Sequence, residues 1–514
     1  MGIPFYFSRI TKEHPEIVRS GLECIVDYLF LDFNCGIHYC NKLLRDELSG
    51  RSVDDEEYES LLIDKCINYI HEITEGKIIR NLFISIDGVV PFSKMAQQRK
   101  RRYLSVFRNE HINSSVHIWD SNAISPGTSF MAKLNSRLDE SRFKQILSNT
   151  IISDSTEPGE GETKIFNFIK EQDIEGSSLV IYGLDADLIM LSMLIEKENS
   201  LFLMREAEFY RYGMDSKYLF LDITLLKSKL IDHIFSLTHT QSFGNPIQNY
   251  VVICMLIGND FIPSLSYLKI ANNSIDLLLL TLARCCEENE GIGDLIYFDN
   301  GAWQVNFITL QLLLTKLSTT EDTEYCKVHS KYYNTRKECK TDLEKIEHYG
   351  VFNKAPDVIC PNRDGWRRRY YSSLFSSATL DDICKNYIVG LKWNVDYYLN
   401  NRCFTKWHYP YDYSPTIFDL NNYLTVTNTN ELKVPSCQNY VSDEEHLAMI
   451  LPKQSHHLLN KSMRSKLSQL KYAKLYPVKY GIQTYLKHYL HDCVPMIPGL
   501  TVISSSEINL GAFG

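Results

Sequence analysis

Three short apolar runs, each closed by an acid, constrain this chain more than any other feature. They are "YLFLDFNCGIH" (28–38), "NLFISIDG" (81–88) and "SLVIYGLDADLIML" (178–191). Each is rich in β-branched or aromatic residues and ends in Asp and Gly, which reads as a buried strand running into a loop. Between them lie helix-like stretches, such as 59–75 with Leu61, Leu62, Cys66, Tyr69, Ile70 and Ile73. Strands alternating with helices predict an α/β fold, with a mostly parallel central sheet flanked by helices. In such sheets the carboxyl ends of the strands border the ligand crevice. Asp32, Asp87, Asp185 and Asp187 should therefore meet at one edge, although the sequence separates them widely.

Two more segments carry acids. In "EPGEGETKIFNFIK" (157–170), Glu160 and Glu162 straddle Gly161 just before an amphipathic helix with Ile165, Phe168 and Ile169. Acids at a helix start are favoured by the helix dipole, so capping is one reading. The other is that both point into one cleft, where glycine lets the backbone approach closely. In "MLIGNDFIPSL" (255–265), Asp260 stands in apolar surroundings, where an acid is costly unless paired or bound to a cation. It could equally cap the turn that follows. If Asp32, Asp87, Glu160, Glu162, Asp185, Asp187 and Asp260 converge, they cannot all stay ionised without counter-charge. Hard oxygen donors with no recurring His or Cys suit Mg²⁺ or Mn²⁺, and two such ions are the usual arrangement for cleaving a phosphodiester.

Directly after Asp87 comes the densest cationic stretch, "SKMAQQRKRR" (93–102). As a helix it sets Lys94, Gln98, Arg101 and Arg102 on neighbouring faces. Such a face beside a metal site suits a phosphate, because Arg contacts it bidentately and Gln adds a neutral donor. A solvated basic helix is the alternative. The formal net charge of −9 argues against a general nucleic-acid coat but leaves room for a local basic channel.

With 514 residues, the chain has room for two or three domains. We divide it into a core over 1–285, an irregular connecting segment over 286–350, an aromatic-rich region over 351–480 and a tail over 481–514. No apolar run reaches the roughly 18 residues of a membrane span. The N-terminus lacks the pattern of a secretory signal. Tyr6 stands where a myristoylation motif at Gly2 would want Ser or Thr. Fourteen cysteines without a C-x-x-C suit reduced thiols inside a cell. Cys326, His329, Cys339 and His348 match no zinc-finger spacing.

Taken together, "LDFNCGIH", "IDGVVPFSKMAQQRKRR", "PGEGETKI", "YGLDADLIML", "LIGNDFIP" and "YIVGLKWNVDYY", in this order, resemble the XRN family of 5′→3′ exoribonucleases. The resemblance implies a nuclease core like that of flap endonucleases and a largely helical second region that closes the active-site channel. It implies processive degradation of single-stranded RNA carrying a 5′-monophosphate to nucleoside 5′-monophosphates, with two Mg²⁺ or Mn²⁺ ions on the seven acids. Lys94, Gln98, Arg101 and Arg102 would form the pocket for the 5′-phosphate. His38 and Trp393 would stack on the leading bases, although core packing is an alternative for Trp393. The place of work would be inside the cell, in the cytoplasm rather than the nucleus. Cys35 and Gly36, Phe5 and Ser264 depart from the family pattern, but none is an expected ligand. A DNA flap-endonuclease-like enzyme would lack the basic pocket and the second region, and an inactive RNA-binding scaffold should have lost ligands.

Overall fold

The three apolar runs become neighbouring strands of one sheet in the computed structural model. It describes residues 3, 5–22, 25–48, 51, 53–111, 119–140, 147, 149–183, 185–196, 199–207, 216–238, 243–288, 293–375, 378–402, 406–435 and 441–501. Gly2 and residues 502–514 of the expected tail lie outside these.

Seven strands, β1 (Val18–Arg19), β2 (Val26–Asp32), β3 (Ile79–Ser85), β4 (Thr150–Ser153), β5 (Ser178–Tyr182), β6 (Ser200–Glu206) and β7 (Tyr218–Asp222), pair in the order β1-β7-β6-β5-β2-β3-β4. Pairing is parallel from β6 through β4, and β7 pairs antiparallel with both β6 and β1. The chain moves outward from β2 to β3 and β4, then crosses back to β5 on the other side of β2. The switch point of the sheet, where a crevice opens at the strand ends, thus lies between β2 and β5. Register makes those ends level: Asp32 is opposite Ser85, Ser85 opposite Ser153, and Leu31 opposite Tyr182.

Both faces of the sheet are covered, so its strands read as unbroken apolar runs. Phe30, Phe83, Leu179 and Ile181 enter one core, shared with the helical second half. Leu29, Leu31, Ile84, Val180 and Tyr182 enter another, against helices α1 (Phe33–Glu47) and α2 (Asp55–Thr74). Asp54 caps α2, accepting a hydrogen bond from the Glu57 N–H at 2.9 Å. Three further helices start near the strand ends: α3 (Phe92–His111), α4 (Gly161–Glu171) and α5 (Ala186–Met193). From the second region come α6 (Leu380–Tyr398) and α7 (Asp443–Ile450). The first turn of α3 shares a separate apolar core with α7. No helix among the described residues is long and apolar enough to cross a membrane.

Two expectations about organisation need correction. The segment 286–350, read as irregular, holds a hairpin (Ile296–Asp299 with Ala302–Val305) and helices Phe307–Ser318 and Glu321–Asn334. Its polar composition arises because these helices bury only a stripe, such as Tyr325, Val328 and Tyr332 of the second one. The start of the expected tail is also built into the molecule. The Tyr485 hydroxyl meets that of Tyr325 at 2.9 Å, and the Tyr332 hydroxyl donates to the Thr484 carbonyl at 2.6 Å.

Candidate active site

The seven acids come together at the carboxyl edge of the sheet. Asp32 is the last residue of β2, Asp87 follows β3, Glu160 immediately precedes α4 and Asp185 immediately precedes α5. Glu162 and Asp187 lie in the first turns of α4 and α5. Asp260 sits on the loop after helix Pro246–Leu256, where the Asn259 side chain accepts from the N–H groups of Phe261 and Ile262 at 3.0 and 3.1 Å. That local turn explains why Asn precedes the acid.

Backbone contacts lock two of the acid-bearing loops. The Gly88 N–H donates to the Gly159 carbonyl and the Gly159 N–H to the Val89 carbonyl, both at 2.9 Å. The Gly161 N–H donates to Asp87 Oδ1 at 2.7 Å. A Cβ at Gly161 would stand 2.6 Å from Asp32 Oδ1 and 3.4 Å from Asp87 Oδ1, so only glycine lets the start of α4 approach both carboxylates.

Burial and mutual repulsion push most of these carboxyls upward. Asp32 is raised well above its ordinary value by burial and then by Asp87 and Asp185. Glu162 is raised likewise by burial, with Glu160 and Asp187 adding to it against Lys94. Asp187 is pushed up to about 7, by burial and then by Asp260. Asp87 and Glu160 are raised by burial, although the Gly161 N–H holds the first back and Lys94 the second. Asp185 goes the other way: burial raises it, but positive charges around it, Lys94 and Arg101 among them, more than offset this.

One cation already stands inside the cluster. Lys94 is buried, and its Nζ lies 2.7 Å from Glu160 Oε2 and 3.3 Å from Asp260 Oδ2. Burial disfavours its charge, yet Glu160, Asp260, Glu162 and Asp187 together hold its pKa well above the ordinary value. Grouped by resemblance with the phosphate pocket, Lys94 thus faces the acids instead. Among the described residues no three His, Cys, Asp or Glu side chains already stand in the arrangement that encloses an ion. The donor set nevertheless fits a hard divalent cation: its atoms are all carboxylate oxygens, most of them short of positive charge. The buried Oδ2 of Asp187 has no hydrogen-bond partner.

The remaining expected phosphate-binding residues lie along α3. Arg101 is exposed and has no hydrogen-bond or ion-pair partner among the described residues. Arg102 donates through Nη2 to Ser125 Oγ at 2.7 Å, while its buried Nη1 has no partner. Burial, joined by the like charge of Arg101, pushes Arg102 down to about 9. Gln98 also keeps an unpartnered buried oxygen, Oε1. His38 on α1 reaches solvent but lies recessed among protein atoms; that crowding, then Arg101 and Arg102, pushes it down to about 4. His38, Arg101 and Arg102 are therefore electrostatic neighbours. Other cations of the run are spoken for: Arg99 donates to the Met449 carbonyl at 2.7 Å, and Lys100 pairs with Asp412.

Trp393 is not a stacking platform in this structure. It is fully buried, stacked on Tyr397 at 5.3 Å and edge-on to Phe261 at 4.7 Å, so it shows no face to a base. The core-packing reading holds for it, as i,i+4 spacing on one helix puts Trp393 and Tyr397 side by side.

Sequence reasoning missed the tyrosines that follow Trp393. The Tyr397 hydroxyl lies 2.9 Å from Glu162 Oε1 and 3.2 Å from Glu160 Oε1. The Tyr398 hydroxyl donates to Asp187 Oδ1 at 2.8 Å. The motif "NVDYYLN" reads simply as a buried helix face, and nothing in its spacing points at the acids.

Comparison with known proteins identifies relatives of this arrangement. The family model described as "XRN 5'-3' exonuclease N-terminus" matches residues 1–207, and that described as "Xrn1 helical domain" matches 240–350 and 315–500. Human 5'-3' exoribonuclease 1 is 27% identical over 89% of this chain, and the Drosophila melanogaster 5'-3' exoribonuclease 2 homolog is 23% identical over 82%. Saccharomyces cerevisiae 5'-3' exoribonuclease 1 is 29% identical over 62% of the chain. The alignments span 31%, 61% and 23% of these relatives' own lengths, so the chain corresponds to less than two thirds of each.

Proposed function

Because the chain belongs to the XRN 5′-3′ exonuclease family, we propose that it is a metal-dependent, processive 5′→3′ exoribonuclease, taking RNA with a 5′-monophosphate and releasing nucleoside 5′-monophosphates. One observation carries the reading: a buried nest of seven carboxylates at the sheet switch point adjoins a helix with unpartnered guanidinium and amide groups two turns further on. Asp32, Asp87, Glu160, Glu162, Asp185, Asp187 and Asp260 would hold two Mg²⁺ or Mn²⁺ ions. When bound, such ions supply the charge that activates water and stabilises the leaving 3′ oxygen.

The chain's own groups do the rest. Arg101 and Arg102 receive the terminal phosphate, since their free N–H groups match its oxygens, and Gln98 would turn its amide N–H toward the same group. The His38 ring, kept neutral by its neighbours, offers a flat face to the leading base, and base stacking tolerates any sequence. Lys94 links the two sites, because it carries positive charge at the border between acids and phosphate. Contacts from the second region take the acids out of bulk water, which strengthens the interactions made there.

The test compares RNAs ending in 5′-monophosphate, 5′-triphosphate and 5′-hydroxyl, each with Mg²⁺ and with EDTA. Mononucleotides should appear from the monophosphate substrate with Mg²⁺ alone, and a folded Asp187→Asn variant should release none. Degradation by that variant at near the wild-type rate would sink the metal assignment.

A further inference from the structure

The tyrosine pair at the end of α6 touches three of the seven acids, and α6 belongs to the helical region, not to the sheet that carries those acids. Tyr397 and Tyr398 are consecutive, so their rings project about 100° apart around the helix. One therefore reaches the start of α4 and the other the start of α5. Their rings stand edge to face at 5.0 Å. Phe261, next to Asp260, packs edge-on against Tyr397 at 4.9 Å and Tyr398 at 6.3 Å. The Asn259 amide also donates to Asn394 Oδ1 of α6 at 2.5 Å. Four acids from three elements are thus referenced to a single turn of one helix.

The contacts are one-sided in a way that suits a ligand. Each hydroxyl approaches Oε1 of Glu162 and Glu160 or Oδ1 of Asp187. The second oxygens point elsewhere: Glu160 Oε2 meets Lys94, and Asp187 Oδ2 is buried without a partner. Thr163 Oγ1, 3.5 Å from the Tyr397 hydroxyl, can supply it with a proton, leaving the tyrosine's own proton for the acids. Behind the pair, the stack of Trp393 on Tyr397 restrains the ring.

We infer that Tyr397 and Tyr398 are positioning residues of the metal site, holding one oxygen of Glu160, Glu162 and Asp187 in place so that Glu162 Oε2 and Asp187 Oδ2 are presented to a divalent ion, while Glu160 Oε2 stays with Lys94. This rests on the reading that the acids hold ions. Hydrogen-bond partners of metal ligands commonly contribute about 10–100-fold in metal affinity. The helical region then completes the nuclease site chemically as well as covering it.

The experiment is a Mn²⁺ titration, followed by calorimetry, of the full chain and of Tyr397→Phe and Tyr398→Phe, with thermal midpoints of each in EDTA. Tyr370→Phe is the control, since this buried tyrosine of the same region donates to the Ser414 carbonyl at 2.8 Å and, among the described residues, makes no hydrogen bond to any of the seven acids. Either acid-facing variant should bind Mn²⁺ about tenfold or more weakly, regain RNA cleavage at raised Mn²⁺, and melt in EDTA as Tyr370→Phe does. Unchanged Mn²⁺ isotherms in both variants overturn the inference, and so does equal weakening in Tyr370→Phe. A wild-type chain that binds no Mn²⁺ gives a different result, since it overturns the metal reading of the acids themselves.

Discussion

Replacing Lys94 by Met removes a buried ammonium from the acid cluster while keeping a side chain of similar length. Lys94 Nζ stands 2.7 Å from Glu160 and 3.3 Å from Asp260, with all three side chains buried. At an effective dielectric of about 20, those two contacts correspond to about 6 and about 5 kcal/mol of direct attraction. Desolvation of the ammonium offsets much of that. Removing one member of a buried ion pair still costs about 3–5 kcal/mol, because the charge left behind has no partner. Two carboxylates lose their partner here, so the upper end of that range applies in EDTA at neutral pH. A divalent ion brings the missing charge, and its binding to the folded state adds about 2.7 kcal/mol at a hundred times its Kd. The ion should bind the Lys94→Met cluster more tightly than the wild-type one, and the stability gap should narrow. Urea unfolding followed by Trp fluorescence, with EDTA and with Mg²⁺, reads both quantities. A variant within about 1 kcal/mol of wild type in EDTA would refute the reasoning, since Lys94 could not then be the counter-charge of Glu160 and Asp260.

Arg101→Ala should slow decay of 5′-monophosphate RNA at least about tenfold, because losing one charged hydrogen bond costs about 1.5–3 kcal/mol. Decay of 5′-hydroxyl RNA should barely change; equal slowing of both would mean that Arg101 binds the RNA backbone in general. His446 is wholly buried beside Arg102 with neither ring nitrogen partnered, and burial, then Arg102, pushes it down to about 3. Its folded value lies below the unfolded one of about 6.5, so its contribution is present above that pH and is lost on acidification, about 2 kcal/mol of it by pH 5. Urea midpoints of His446→Gln should therefore fall less than those of wild type between pH 7 and pH 5, and parallel curves would contradict the assignment.

The sheet and its acids were legible because their causes are local. An apolar strand covered on both faces has one compositional form, and an acid at its end is conspicuous beside Gly88 or Gly183. The phase of α3 was legible too, as far as grouping Gln98, Arg101 and Arg102. What escaped depends on contacts between distant segments. Lys94 faces Glu160 and Asp260 because the loop carrying Asp260 lies over the first turn of α3, a packing fact that no spacing encodes. Trp393 looked like a stacking residue because an aromatic in "GLKW" has the right chemistry, but only the fold shows Phe261 and Tyr397 covering it. The polar run at 321–334 looked like a linker because half its residues face water, and its buried Tyr325 and Tyr332 are paired with partners some 150 residues away in Tyr485 and Thr484.

Helix α3 sets a length. Lys94 among the acids and Arg101 and Arg102 two turns further on belong to one uninterrupted helix, pinned between them where Arg99 grips the backbone carbonyl of Met449. Seven to eight residues of α-helix span about 10–12 Å, and the rise per residue cannot be stretched. Domain motion can carry both ends of such a ruler together but cannot change the interval between them. An extra residue inserted between Met95 and Gln98 would advance the far end by about 1.5 Å while rotating it by about 100°. Under the proposed function, the interval between the metal site and the phosphate-binding end is then fixed by the length of a single helix.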